Sequence, residues 1–298
     1  MAKRIGKIVI YFLLICIGYI YLEPIFEMIS KSIMSTTDII DPSVEWIALH
    51  PTLGNFSVAS RVLKMPGSLI NSILFSAGLA ALQTMVAAMT GYALSRFKFR
   101  GKQFWFTMIL LAFIVPVTVL MIPRLIVFIS AQSALGMQLI GTPIPQVLMA
   151  LLGQGVNGTI LILIFWNFFN LIPYSLDEAA MIDGAGAFQV FFHIAMRLSV
   201  STVLIVFLFA FVWNWNETYQ TATYLGGTMD LLPIKLSTFD SMFSSNASSS
   251  MGSEGSYKIN EAYKMAATLI SIAPLLILYA CVQKQFIQGI ENTGITGE

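Results

Sequence analysis

The chain has 298 residues, of which 57% are hydrophobic and only 10% charged, and its mean hydropathy is +0.79. Soluble domains carry about 25% charged residues, so this composition excludes an ordinary water-soluble fold and places the chain in a bilayer. A net charge of +1 supplies neither the basic field that nucleic acid requires nor the acidic excess of a solvated tail.

A spanning helix needs about 20 mostly apolar residues, and six segments supply them, near 8–29, 68–94, 104–129, 146–169, 199–217 and 263–283. The predicted fold is all-α, one polytopic transmembrane domain over 1–298. Lys3, Arg4 and Lys7 precede the first apolar run as in a signal peptide, but no small-residue cleavage site follows Leu22, so the run reads as a retained span. At its far end Glu27 and Lys31, four residues apart, read as an interfacial helix pair beside Glu23. Along the second span Ala77, Ala80, Ala81, Thr84, Ala87, Ala88 and Gly91 recur at three and four residues, a face that lets another helix backbone approach, in this chain or a partner.

Pro116 and Pro123 fall inside the third span, and Gly153, Gly155, Asn157 and Gly158 interrupt the fourth. Such breaks either line a solute path, where freed backbone groups meet water or substrate, or are ordinary kinks. Asn167 reads as a buried polar group, a solute contact or an interhelical hydrogen-bonder. Trp213, Asn214, Trp215 and Asn216 close the fifth span with aromatic and amide groups that suit a polyol, although the tryptophans also fit an interfacial belt. The tract Ser241 to Ser256 reads as a flexible loop, and the sequon Asn246-Ala-Ser248 within it as a chance match. Cys16 and Cys281 read as buried, inert thiols.

Six spans put both termini on one side. Lys3, Arg4, Lys7, Arg96, Lys98, Arg100, Lys102, Arg197 and Lys284 share that side, which the distribution of basic residues makes cytoplasmic. Segment 170–198 faces it too, while 31–67 and 218–262 face outward. Within 171–197, Pro173 closes the preceding span, Ser175 stands three residues before Glu178 in a capping-box pattern, and Gly184 and Gly186 end the helix after about two turns. A second helix is predicted from Ala187 to Met196, with Phe188, Phe191, Phe192 and Ala195 as an apolar stripe opposite Gln189 and His193. The product is a helix–turn–helix knob with Asp177, Glu178 and Asp183 exposed on its first limb. Ala179 and Ala180 keep that limb thin enough for a groove, where carboxylates pair with basic groups at the rim.

Catalytic signatures are thin. Gly153-Gln-Gly155-Val-Asn-Gly158 matches the dinucleotide fingerprint in letters, but its flanks are membrane spans rather than a βαβ unit. There is no Gly-x-x-x-x-Gly-Lys-Ser/Thr run to cradle a nucleotide. His50 and His193 are predicted on opposite membrane faces, neither beside a serine or cysteine nucleophile.

The run Glu178-Ala179-Ala180-Met181-Ile182-Asp183-Gly184-Ala185 resembles the EAA loop of binding-protein-dependent ABC importers, in the form seen in maltose-transporter-type sugar permease subunits. Tyr92-Ala-Leu-Ser-Arg96-Phe-Lys-Phe-Arg-Gly101, Ile122-Pro123, Leu171-Ile-Pro173, Trp213-Asn-Trp-Asn-Glu217 and Gln285-Phe-Ile-Gln-Gly289 are similar to that family as well. The resemblance implies a non-enzymatic permease of the bacterial or archaeal inner membrane, working by alternating access. It binds no cofactor itself; ATP and Mg are used by a separate ATPase dimer, into whose cleft the loop docks. Asp177, Glu178, Ala179, Ala180, Asp183, Gly184, Phe188 and Phe191 would make that coupling, with Glu178 the ionic anchor and Gly184 the turn. The implied partners are a second permease of similar fold, an external solute-binding protein and a carbohydrate, with Asn167, Trp213, Asn214 and Asn216 on its path. Where the family continues into Ile-x-Leu-Pro, this chain has Ile194-Ala-Met-Arg197, so the proline before the fifth span is replaced by arginine. The tail ends Gly294-Ile-Thr-Gly-Glu298, without the family's basic ending. Readings from other classes are an ion- or proton-coupled secondary transporter, which would need deep acids and internal repeats, and a non-transporting membrane scaffold.

Overall fold

The computed structural model describes residues 2–250 and 261–294, with side chains described for 6–245 and 261–284. The described residues are helices joined by turns, without strands. In chain order they are α1 (Ala2–Ile33), α2 (Thr36–Ile40), α3 (Gly54–Val62), α4 (Gly67–Arg96), α5 (Lys102–Ile114), α6 (Val117–Leu135), α7 (Ile144–Leu151) and α8 (Gly158–Leu171). Then follow α9 (Tyr174–Ile182), α10 (Ala187–Leu198, one turn of it π-helical), α11 (Val200–Asn216), α12 (Tyr219–Leu225), α13 (Leu232–Ser237), α14 (Phe239–Ser250) and α15 (Glu261–Gly294).

Four helices are long and apolar enough to cross a bilayer: Gly6–Ile33 within α1, α4, α6, and Glu261–Lys284 within α15. Two bent pairs, α8 with α9 at 74° and α10 with α11 at 82°, pass the same criterion together, so the described residues hold up to six spans. The expected third and fourth segments are not continuous helices. Val115 is extended, at φ −73° and ψ 120°, because the following proline ring disfavours helical backbone there, so the chain breaks between α5 and α6. Pro123 costs α6 one backbone bond without ending it. The fourth segment divides into α7 and α8 around a turn that places Gly153 at φ 72° and Asn157 at φ 50°. A Cβ on Gly158 would lie 2.7 Å from the Gly153 carbonyl oxygen, so the turn closes only with glycine there.

The chain divides into two compact units, residues 1–68 with 235–276 and residues 69–234 with 277–298. In the first, the expected Glu27–Lys31 pair forms at 2.7 Å, and Lys31 also reaches Glu261 at 3.0 Å. The buried Asn55 amide donates to the Ser32 and Met34 carbonyls, both at 2.8 Å. Asp38, also buried, accepts the His50 backbone N–H at 2.8 Å and contacts His50 Nδ1 at 3.0 Å. The serine-rich tract is not a loop throughout, since its residues 241–250 lie in α14. Phe239 and Phe243 are buried, Phe243 stacks on Tyr263 at 5.5 Å, and Asp240 pairs with Lys264 at 2.6 Å. One i, i+4 aromatic pair thus holds a helix that average composition argued against. The tract's remainder at 251–256, the side chains of the Asn246 sequon and of Gln285–Gly289, and the tail beyond Gly294 lie outside the described residues.

In the second unit, the small-residue face of α4 is buried at Ala80, Thr84, Ala87, Ala88 and Gly91. A Cβ on Gly91 would sit 2.7 Å from Phe165 Cβ and 2.8 Å from the Trp166 backbone nitrogen, so the face packs on α8 of the same chain. Three expectations are corrected. Trp215 is buried rather than a belt residue, Asn167 is exposed rather than buried, and Cys16 is half-buried with Cys281 exposed. A spanning helix turns one side to its own chain and leaves the other for lipid or a partner, and apolar context in the sequence does not say which residue lies on which side.

Candidate functional site

The segment 171–197 forms the predicted helix–turn–helix. Pro173, at φ −58° and ψ 130°, caps α9, whose first residue is Tyr174. Ser175 therefore lies inside the helix, and the capping box proposed for it does not form. The reciprocal contact falls on the second limb, where Gln189 Oε1 accepts the Gly186 N–H at 2.8 Å. Gly184 turns the chain at φ 88°, with open space where a Cβ would be. This is a left-handed conformation that glycine adopts without steric cost.

One expected surface carboxylate is internal. Asp177 is buried, and its Oδ2 lies 2.9 Å from Arg96 Nε, with side-chain exposures of 2% and 8%. Arg96 also donates through Nη2 to the Ile172 carbonyl at 2.9 Å and lies over the Tyr174 ring, 5.6 Å from its centroid. Burial raises the Asp177 carboxyl above the ordinary carboxylate value, and the Arg96 charge opposes that rise. Beside the pair, Ser95 donates to Asn170 at 2.8 Å. Tyr92 meets Phe169 at 5.4 Å and Phe191 at 5.1 Å between ring centroids. The end of α4 thus clamps both limbs, with Arg96 on the first and Tyr92 on the second.

The remaining face is open. Glu178, Ala179, Asp183 and Gly184 are exposed and Ala180 is half-buried. Ile182 is 86% and Phe188 71% exposed. The predicted stripe splits, because Phe191 and Ala195 turn inward, beside Val190, while Phe188 and Phe192 turn out. Ile182 and Arg96 were missed by sequence reasoning. Arg96 was read for topology and in a run that is similar to the family, without a role of its own, and Ile182 had no pattern to mark which side of α9 it took. The bend into α11 forms at Ser199, at φ −96° and ψ 13°, without the family's proline. Buried Ser199 donates through Oγ to the Met196 carbonyl at 3.2 Å, and Arg197 is exposed.

The two helix breaks meet. Val115 and Val117 on one side and Gly153–Thr159 on the other line one open cleft of about 510 Å³, together with Arg124 and Gln220. Arg124 donates to Gln154 Oε1 at 3.0 Å. A separate small pocket is lined by Ser72, Ser76, Asn214, Trp215, Glu217 and Thr221. Asn214 is buried, donates to the Ala210 carbonyl at 2.7 Å and receives Gln83 at 3.5 Å. A side chain at Gly155 would collide with that same Gln83 amide. Of the residues expected along a solute path, Asn214 lines a cavity, Trp213 is half-buried, and Asn167 and Asn216 are exposed. No group of three or more His, Cys, Asp or Glu is placed to hold a metal ion among the described residues.

Residues 83–292, which include the clamp, the knob and the cleft, match the family model of the binding-protein-dependent transport system inner membrane component. The chain belongs to that family. It is 25% identical to the arabinooligosaccharides transport system permease protein of Halalkalibacterium halodurans, over 94% of this chain and 93% of the relative. It is 26% identical to the lactose transport system permease protein of Rhizobium radiobacter, over 97% of each. Its fold is similar to that of a chain in the crystal structure of a bacterial ABC transporter involved in the import of the acidic polysaccharide alginate. That likeness has a TM-score of 0.67 at 20% identity and covers 96% of this chain and 98% of the other. These two relatives are named as sugar transport system permease proteins.

Proposed function

We propose that the chain is the membrane-spanning permease subunit of an ATP-driven importer for an oligosaccharide, coupled to a separate ATPase through residues 171–197. It spans the inner membrane six times, with α8 in the fourth span, α11 in the fifth and α9 and α10 as the cytoplasmic knob between them, and with both termini cytoplasmic as the distribution of Lys and Arg indicates. The observation that carries this reading is the knob itself. A charged residue and two large apolar side chains, Glu178, Ile182 and Phe188, stand exposed on a helix–turn–helix whose other side is clamped to α4. Exposed apolar groups rimmed by carboxylates mark a docking surface, and the buried clamp lets a push on the knob move α4.

In this mechanism ATP, with Mg, closes the ATPase dimer and shifts the permease pair from an inward-open to an outward-open population. This chain pairs with a second permease of similar fold and receives solute from an external binding protein. Glu178 is the ionic anchor, Ala179 and Ala180 the close-packing pair, and Asp183 with Phe188 the rim. Asp177 and Phe191 act from inside the knob rather than on its surface. The test is purification of the tagged chain from native membranes in mild detergent, wild type beside Glu178→Arg, with co-purifying proteins identified by mass spectrometry. A second permease and an ATPase accompany the wild type, and the charge reversal weakens ATPase recovery at least tenfold while sparing the second permease. Full ATPase recovery by the variant removes the anchor role, and a wild-type chain recovered alone removes the importer reading.

A further inference from the structure

The cleft where the two breaks meet contains a charge without a counter-charge. Among the residues lining it, Arg124 alone is ionisable. Its hydrogen-bond partner is the neutral Gln154, and no carboxylate lies within ion-pair distance of it among the described residues. Arg124 belongs to α6, a helix apolar enough to cross a bilayer, where an arginine costs several kcal/mol unless it reaches water or a partner.

A second feature of the same sign faces the cleft. Helix α8 begins there, with Asn157, Gly158 and Thr159 among the lining residues, and its N-cap makes no side-chain hydrogen bond to the first-turn amides. The Gly158 N–H donates to the Gly155 carbonyl and the Ile160 N–H to the Asn157 carbonyl, both at 3.0 Å, so the Thr159 amide and the helix dipole are what favour an anion there. Interrupted transporter helices present such N-termini to anionic groups of the solute near mid-membrane. Helix α5 has 13 residues and α8 has 14, so both breaks lie roughly 20 Å along their helices from the clamp end. Asn157, Gln154 and Gln220 add neutral hydrogen-bonding groups of the kind that bind hydroxyls.

We propose that this cleft binds the carboxylate of an acidic saccharide, with Arg124 as its counter-ion and the start of α8 as its second anion contact. The proposal rests on the importer reading and names the class of sugar. The experiment uses the complex of both permeases and the ATPase in nanodiscs, without binding protein, and calorimetric titration with trimers of galacturonate, glucuronate and mannuronate, each beside its neutral methyl ester. At least one acid trimer binds the wild type tenfold or more tighter than its ester. Arg124→Gln abolishes that preference, and Arg124→Lys retains part of it. Absence of binding by every acid trimer, equal binding of the esters, or a preference that survives Arg124→Gln overturns the proposal. So does loss of the second permease from the Arg124→Gln complex, which would assign Arg124 an acidic partner in that chain. An assembled, ATP-hydrolysing complex without acid preference refutes this inference alone, whereas a wild-type chain that recruits no ATPase refutes the importer reading.

Discussion

Replacing Arg96 with methionine isolates the clamp under the knob. The Asp177 carboxylate is 2% exposed and its close cation is Arg96 Nε at 2.9 Å; apart from that ionic contact, neither of its oxygens has a hydrogen-bond partner among the described residues. Removing one member of a buried pair costs about 3–5 kcal/mol, because the other is left as an uncompensated charge. Arg96 also loses its bond to the Ile172 carbonyl and its place over Tyr174, but the carboxyl can escape by taking up a proton, so about 3 kcal/mol is the expected cost. At 1.4 kcal/mol per factor of ten this is roughly a hundredfold rise in the population of undocked knob.

Hydrogen exchange across α9 and α10 reads that population directly, since local opening sets the exchange rate of their amides. Arg96→Met accelerates it about a hundredfold and leaves α15 unchanged. The pH dependence has a defined sign. Burial raises the folded-state value of Asp177 above the ordinary 3.8, so the docked state takes up a proton more readily than the undocked one and local stability increases as pH falls. Without Arg96 the value rises further, and the defect, corrected for intrinsic exchange, shrinks as pH falls. Arg96→Met/Asp177→Leu removes both charges and recovers to within about 1 kcal/mol of the wild type. Unchanged exchange in Arg96→Met, or a double variant no better than the single one, refutes the clamp.

Gly91→Ala destabilises by about 1–3 kcal/mol, because its Cβ would overlap Phe165 and the Trp166 backbone. Gly78→Ala, in the same helix with nothing within 4 Å, is neutral or gains up to about 1 kcal/mol, and thermal unfolding of the purified chain in detergent separates the two. The Asp38 carboxyl lies below its ordinary value, chiefly through the backbone N–H of His50. Its contribution is complete above pH 3.8 and disappears as pH falls through the lowered folded value, so exchange protection of residues 36–52 holds from pH 7 to 5 and declines only in stronger acid, whereas Asp38→Asn is less protected throughout and flat.

What was legible in the sequence follows from which signals are local. Spans such as α4 were placed almost to the residue, because their apolar length is a property of one segment. The turn at Gly184 and the break at Pro116 came from backbone chemistry that a single residue dictates. Facing was not legible. Asp177 and Glu178 are adjacent carboxylates on one short helix, and nothing in their chemistry says which points inward. Arg96 decides it from 81 positions away in the chain. The same holds for Trp213 and Trp215, of which only the second is buried.

The cleft raises the same problem in a sharper form. Two breaks in separate spans were each readable as a kink, and the argument for a solute path becomes physical only once both line one space. Arg124 carried no motif at all, since an isolated arginine in an apolar run is indistinguishable by pattern from one that snorkels to the surface. It lies seven residues after Val117, at the start of a 19-residue helix, roughly 10 Å along the axis, and bonds to the turn that interrupts the neighbouring span. An arginine bonded to that turn has its charge held beside the break. The clamp at Arg96 and the charge at Arg124 therefore do opposite work with the same side chain: Arg96 is neutralised within the chain so that the knob stays rigid, and Arg124 is left without a counter-ion at the break.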